Sequence, residues 1–327
     1  MKKSTLLATM LSASLLFPTF SSFASELGQS QHGVDQLAGT GVYRYALNDV
    51  RITALSAGAV DLDLHKLLHG ATRARIDQLL GQHFLENPVR TSINVFLVET
   101  QGRRILIDTG SGKLFGGNAS RLMESLAAAG VNPDQIDDIL ITHAHIDHIG
   151  GLVLDGARVF RNATLHVSEP DLVFYLQPAQ PSVPHADKIS SEIAEKMLRP
   201  YAEAKKIKPF SGTSEVLPGI TATVHSGHTP GSTIFTLERQ GREISFVGDM
   251  IHSSVQFDDP ALTIGFDTDS ARARAVRERT FANLASERSL MAAPHLPFPG
   301  IGHLRKAKEG YSWVPVSFDD RPLTLLP

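Results

Sequence analysis

The sequence of 327 residues predicts an α/β fold built as one domain of two similar halves. Short apolar, β-branched runs alternate with helical patterns, and the order of strands followed by a helix occurs twice. In both halves, histidines and aspartates stand directly after predicted strands, where open α/β sheets usually place their sites. Because no linker separates the halves, we expect a single domain over residues 42–327.

Each element of the first half has its own signal in the sequence. Alternating or continuous apolar runs predict strands at residues 43–47, 51–55, 92–98, 104–108, 139–142, 159–160 and 163–167. Helical spacing of apolar residues predicts helices at residues 72–84 and 121–129, and Gly130 suits the C-terminal cap of the second.

The second half opens with an irregular segment. Residues 170–190 contain Pro178, Pro181 and Pro184 and no clear periodicity, which predicts a long loop or lid. Helices are expected at residues 192–204, despite Pro200, and at residues 270–288. Strand patterns restart at Ile207 and continue at residues 220–224, 232–237, 243–247, 290–293 and 311–316.

The N-terminus has the pattern of a secretory signal peptide. Lys2 and Lys3 precede an apolar stretch, and residues 22–24 form a small-x-Ala cleavage site. We therefore expect cleavage after Ala24, a loose arm over residues 25–41, and a periplasmic or secreted protein. The alternative is a retained anchor, although the stretch is short for a bilayer, and no later segment predicts a membrane span.

Composition excludes several classes of function. The formal net charge is −3 and no basic block occurs, which argues against nucleic acid as a partner. The chain has no cysteine, so a Cys nucleophile, Cys-ligated zinc and iron–sulfur clusters are excluded.

Four residues of metal-ligating type fall within six positions, directly after the predicted strand at residues 139–142. They are His143, His145, Asp147 and His148, and Gly150 and Gly151 follow, where we expect a sharp turn. Imidazole and carboxylate together suit zinc, iron or manganese. Three later strand ends add His228 in a Gly-rich turn, Asp249 and His295, which together provide enough ligands for two metals.

This pattern of motifs resembles the metallo-β-lactamase superfamily, and the methyl parathion hydrolase group with its related exported lactone and aryl-ester hydrolases in particular. Further similar segments are residues 106–110, 114–116, 255–260 and 295–303, and the resemblance extends from about Tyr43 to Val316. It implies a four-layer αββα sandwich. It also implies one metal on His143, His145 and His228, a second on Asp147, His148 and His295, Asp249 as a bridge, and Asp108 beneath the site.

The resemblance also implies a chemistry and a pocket. Two divalent cations, with Zn²⁺ expected and Mn²⁺, Fe²⁺ or Co²⁺ as alternatives, would lower the pKa of a shared water so that hydroxide attacks the substrate. Asp147 and Asp249 coordinate and are able to hold a proton. Phe115 and Tyr175 match aromatic pocket positions, whereas a third aromatic is missing near Ser190. His252 replaces an apolar residue of the organophosphate enzyme and is the candidate catalytic group that hydrogen bonds a substrate carbonyl or leaving oxygen.

We therefore expect an exported hydrolase of lactones or aryl esters, with promiscuous phosphotriesterase activity. The alternatives are an organophosphate hydrolase and, in another class, an exported protein that binds metal without catalysis. Phe115 and Tyr175 have the alternative of being core aromatics, and His252 that of a hydrogen-bonded structural residue. Members of the family often dimerise, so a homodimer is an expectation that no sequence feature requires.

Overall fold

Two seven-stranded sheets form the centre of the protein. The structure, a computed structural model, describes residues 40–116, 120–177 and 188–317. The predicted signal peptide and most of the predicted arm at residues 25–41 lie outside these ranges. None of the described helices combines the length and the apolar character needed to cross a bilayer.

The elements of the first half are, in chain order, β1 (Val42–Leu47), β2 (Val50–Leu62), α1 (Leu64–Leu67), β3 (Leu68–His69), α2 (Arg73–Gln82), β4 (Val89–Thr100), β5 (Arg103–Ile107), α3 (Leu122–Ala129), β6 (Asp138–Leu140), α4 (Ile146–Ile149), β7 (Val153–Leu154), β8 (Ala157–Arg158), β9 (Thr164–Ser168), α5 (Glu169–Leu176) and α6 (Lys188–Glu203). The remaining elements are β10 (Ile207–Phe210), β11 (Thr213–Leu217), β12 (Ile220–Val224), β13 (Thr233–Arg239), β14 (Arg242–Phe246), α7 (Val255–Asp258), β15 (Thr263–Ile264), α8 (Ser270–Glu287), β16 (Leu290–Ala292), β17 (Ile301–Lys306) and β18 (Tyr311–Pro315).

The strand order explains why the site lies at one edge. The first sheet has the order β1-β2-β4-β5-β6-β9-β10, and the last four strands are parallel. The second sheet has the order β11-β12-β13-β14-β16-β17-β18, with β14 and β16 parallel. Parallel neighbours end at the same edge, so the loops after β5, β6, β9, β14 and β16 collect there.

Side-chain alternation along the strands builds the layers. On β4, Ile93, Val95 and Leu97 pack in the core that includes residues of α3 and α6, whereas Phe96 and Val98 pack in the core between the two sheets. On the far side, Phe281 of α8 shares a third core with β16 and β17 residues. The predicted αββα sandwich is therefore confirmed.

Two local predictions are wrong. Residues 159–160 form no strand, because the chain has already made the short hairpin β7–β8. Residues 169–176 form helix α5 rather than part of a loop: Pro170 stands in its first turn, where a missing N–H costs little, and Glu169 and Asp171 suit a helix N-terminus. Residues 178–187 lie outside the described part of the chain.

Glycine is needed at the two positions after the His-rich motif because of close packing, not because of the sharp turn expected there. They form a 3₁₀ turn directly after α4. A Cβ atom on Gly151 would lie 2.1 Å from the carbonyl oxygen of Thr109, and one on Gly150 would lie 2.4 Å from that of Ser111. Glycine is therefore required because the loop that carries Asp108 packs directly against this backbone.

Candidate metal centre

Three histidines and an aspartate converge at the first of two adjacent positions. His143 and His145 follow β6, and His228 follows β12. The distance from His145 Nδ1 to His143 Nε2 is 3.0 Å, and the distance to His228 Nε2 is also 3.0 Å. Asp249, just beyond β14, points Oδ2 at this group, 3.3 Å from His228 Nε2. The four ligand atoms lie within 4.8 Å of one another.

Asp249 also belongs to a second group of four ligands. Its Oδ1 atom lies 3.0 Å from His148 Nε2 and 3.0 Å from His295 Nε2. Asp147 completes the group with Oδ2 3.3 Å from His295 Nε2. One carboxylate therefore faces both groups with different oxygens, which is the geometry of a bridge between two ions.

The arrangement of these side chains suits bound divalent cations, because hydrogen bonds among the side chains do not satisfy all of their polar atoms. His148 Nε2 and Asp249 Oδ1 are buried, and neither hydrogen bonds to any described residue although they are 3.0 Å apart. Buried polar atoms normally have partners, so two such atoms that point at a common position indicate that a cation binds there. Imidazole nitrogens and carboxylate oxygens are the donor set of zinc and of several other first-row ions.

The opposite ring nitrogens of three histidines are held by oxygen acceptors. Nδ1 of His148 donates to Asp108 at 2.8 Å, Nδ1 of His228 to Asp267 at 2.9 Å, and Nδ1 of His295 to the carbonyl of Ser92 at 2.9 Å. Each of these bonds fixes the ring with Nε2 oriented toward the ligand groups. The structure thus places the carboxylate of Asp108 against Nδ1 of His148.

Two carboxylates of the site stay ionised although they are largely buried. Burial acts to raise the pKa values of Asp147 and Asp249, but the neighbouring histidines, His148 first, hold both well below the ordinary value. Burial likewise opposes a charged His295, yet Asp249 and Asp147 raise its pKa to about 10. Carboxylates that stay ionised at neutral pH favour a cation at this position.

A cavity of about 460 Å³ opens over the centre. Asp147, Asp249, His252 and His295 contribute to its polar side, and its walls are largely apolar. The predicted pocket residues Phe115 and Tyr175 both line it, and so does Ser190, where a third aromatic is missing. The wall residues that sequence reasoning did not identify include Val60, Leu62, Phe174, Ile193 and Phe266.

His252 is placed between the centre and the cavity. Its Nε2 atom lies 3.1 Å from Asp249 Oδ2, and its ring stacks on that of His295 with 5.3 Å between centroids. Nδ1 is buried and has no hydrogen-bond partner among the described residues. Burial lowers the pKa of His252 to about 4, so the imidazole is neutral at pH 7 and has an unused hydrogen-bonding atom.

Asp267 was not predicted, because nothing in its sequence context distinguishes it from other acids near helix starts. It accepts a hydrogen bond from the backbone N–H of Ile264 as well as from His228. Phe266 beside it lies 5.9 Å from the His252 ring, between centroids. The short segment after β15 therefore supports a ligand and forms a cavity wall at once.

We expect Asp108→Asn to weaken metal binding by about 10- to 100-fold, the usual cost of losing a partner of a ligating histidine. The amide is uncharged, and it cannot accept from His148 while also accepting from both the N–H and the hydroxyl of Thr142. Asp108 has a φ of 61°, which asparagine tolerates, so the backbone is preserved. Competition with a chromophoric chelator measures the change.

Asp137→Asn is the matched control, because this exposed carboxylate directly before β6 also accepts a backbone N–H, that of Arg104, but contacts no candidate ligand. Equal metal affinities of the two variants would contradict the orienting role of Asp108.

Comparisons with known proteins agree with this geometry. Residues 88–287 match the family described as the metallo-beta-lactamase superfamily. The N-acyl homoserine lactonase AiiA of Bacillus thuringiensis subsp. kurstaki is 26% identical over 196 residues, 54% of this chain and 70% of that protein. The crystal structure of AbOPH, a hydrolase in the beta-lactamase superfamily, is 36% identical, covers 86% of this chain and 100% of its own, and has a TM-score of 0.81. AidC, a dizinc quorum-quenching lactonase, is 26% identical, with 86% and 99% covered and a TM-score of 0.77.

Proposed function

We propose, from the premise that this chain belongs to the metallo-β-lactamase superfamily, that it is a hydrolase whose main substrates are lactones with an apolar acyl group. The superfamily predicted from the sequence is confirmed, and the chain is a metal-dependent hydrolase with a dinuclear centre. The lactone preference and the secondary place of aryl esters and phosphotriesters are the proposed part.

One observation supports this preference most strongly: His252 stands on the polar side of an otherwise apolar cavity, next to Asp249. A cavity of about 460 Å³ is within the ordinary range for a small-molecule site. Apolar walls suit an acyl chain, and an imidazole suits a carbonyl or ring oxygen that must be hydrogen bonded. N-acyl homoserine lactones combine these two features, and lactonases of this class are among the relatives.

Different groups of residues have different roles in the proposed reaction. Divalent ions, for which we propose Zn²⁺, would supply a nucleophile at neutral pH and Lewis-acid polarisation of the scissile carbonyl. His143, His145 and His228 would hold one ion, Asp147, His148 and His295 the other, and Asp249 both. His252 remains neutral and is able to take or return a proton when the ring oxygen leaves. Phe115, Tyr175 and Phe266 exclude water and hold the acyl group against the cavity wall.

An organophosphate hydrolase is the second candidate, because the aromatic wall residues Phe115 and Phe266 also suit the aryl and alkoxy groups of a phosphotriester. A panel of substrates separates the two functions. With two equivalents of Zn²⁺ bound, we expect kcat/KM for N-hexanoyl homoserine lactone or dihydrocoumarin to exceed that for methyl parathion by at least about tenfold, or 1.4 kcal/mol. The reverse order would make the organophosphate reading correct.

We further propose that the protein is exported and that its signal peptide is cleaved after Ala24. The N-terminal sequence of the protein recovered from a periplasmic or culture fraction should begin at Ser25. An intact Met1 on protein from the cytoplasmic fraction would contradict this proposal.

A further inference from the structure

Asp171 is a buried carboxylate that has no role in the proposed hydrolysis. It lies in the first turn of α5, directly after β9, and its exposed fraction is 0%. No lysine, arginine or candidate metal ligand donates a hydrogen bond to it within the described residues. Its partners are instead groups of the two loops that lie beside the centre.

Three donors from those two loops meet at Asp171. Its Oδ2 atom accepts from the backbone N–H of Ala144 at 2.9 Å and from the hydroxyl of Thr229 at 3.0 Å. Its Oδ1 atom accepts from the backbone N–H of Gly231 at 2.6 Å. Ala144 lies between His143 and His145, and Thr229 follows His228. One carboxylate therefore joins the two loops that carry all three histidines of the first ligand group, whereas Asp147 and His148 of the second group stand one turn further on, in helix α4.

The packing around Gly231 also indicates that Asp171 joins the two loops. A Cβ atom on this residue would lie 1.9 Å from Ser168 Oγ and 2.7 Å from Asp171 Oδ1. The last glycine of the Gly-rich turn is therefore required so that the turn approaches Asp171 closely, and its φ is not in the left-handed region. The turn and the acid are parts of one arrangement.

We propose that Asp171 is a positioning residue that assembles the first metal position by clamping the loop of His143 and His145 to the loop of His228. The inference rests on the proposed function only in that it takes these three histidines as ligands. It predicts that disturbing Asp171 weakens one metal position and spares the other.

Asp171→Asn tests this with almost no change in volume. Either orientation of the amide places its NH₂ group against an N–H donor, that of Gly231 or that of Ala144, so one of the backbone hydrogen bonds that join the loops is lost. We expect the first metal to bind about 10- to 100-fold more weakly, which lowers the tightly bound zinc from two to one per chain. Ser168→Ala is the matched control: its Oγ is buried beside Gly231 without a described partner, so the count should stay at two.

Two backgrounds assign the loss to one position. His295→Ala disables the second group and His145→Ala the first, so each should retain one metal. Adding Asp171→Asn should abolish tight binding in the His295→Ala chain and leave it unchanged in the His145→Ala chain. Equal losses in both backgrounds, or two zinc ions on Asp171→Asn itself, would overturn the proposal.

The readouts distinguish this inference from the proposed function. A wild-type chain that binds fewer than two zinc ions contradicts the dinuclear centre, whereas two ions on both wild type and Asp171→Asn contradict only the clamp. If Asp171→Asn does not fold, Thr229→Val removes one donor from Oδ2 and keeps the shape of the side chain. It should then weaken the first position alone, and an unchanged zinc affinity would refute the clamp.

Discussion

Replacing Asp249 by alanine is expected to reduce lactone hydrolysis by at least about a thousandfold, since metal ions contribute several kcal/mol of transition-state stabilisation at 1.36 kcal/mol per decade. Asp249 is shared by both ligand groups formed by the described residues, and its two oxygens face different groups. Its loss removes a ligand from each metal position and the charge that holds the ions together. Kinetics and metal content measured on the same preparation test this expectation.

Asp138→Ala is the matched control for removing a buried acid. Its carboxylate binds His166 and Arg103 in the first sheet and contacts no candidate ligand. This variant is expected to lose stability but to keep two metals and the kcat of the wild type at a temperature where it is folded. An Asp249→Ala enzyme that retained both ions and full activity would disprove the bridging role.

Replacing His252 by leucine is expected to lower kcat/KM for lactones by about 100-fold or more, within the range of general acid–base effects. The ring bonds Asp249 through Nε2 and has Nδ1 unused, so leucine removes both the hydrogen-bonding group and the proton acceptor. Phosphotriester hydrolysis should fall less or rise, because the leaving group there needs less help and the pocket becomes more apolar. Steady-state kinetics on both substrate classes give the comparison.

His225→Leu provides the corresponding control. His225 lies behind the first ligand group, lines a separate small cavity and belongs to neither metal group. Its replacement should leave the ratio of lactone to phosphotriester activity unchanged. If His252→Leu left that ratio unchanged as well, His252 would be a structural residue, which was the alternative drawn from the sequence.

Much of the fold was predictable because the strands are buried on both faces and read as apolar runs. The position of Asp108 followed from a family motif, and the structure adds its three donors, which include Nδ1 of His148. Helix α5 was not predicted, since the prolines after it outweighed the start signal at Glu169 and Pro170. The candidate ligands are recognisable in the sequence because residues of metal-ligating type cluster directly after predicted strands.

Tertiary partners were beyond the sequence. Asp171 meets Ala144, Thr229 and Gly231 only after the two halves pack together, and sequence separations of 27 to 60 residues hide such contacts. Phe266 becomes a cavity wall only because the segment after β15 folds over His252. The need for glycine at position 151 likewise comes from a loop about forty residues earlier in the sequence, because the carbonyl of Thr109 leaves no room for a Cβ atom there.

A zinc titration of metal-stripped protein, followed by hydrolysis of N-hexanoyl homoserine lactone, tests the central claim most directly. For a dinuclear lactonase we expect that activity is absent without metal and reaches its maximum at two equivalents per chain. A chain that binds two zinc ions tightly and hydrolyses neither this lactone nor dihydrocoumarin would contradict it.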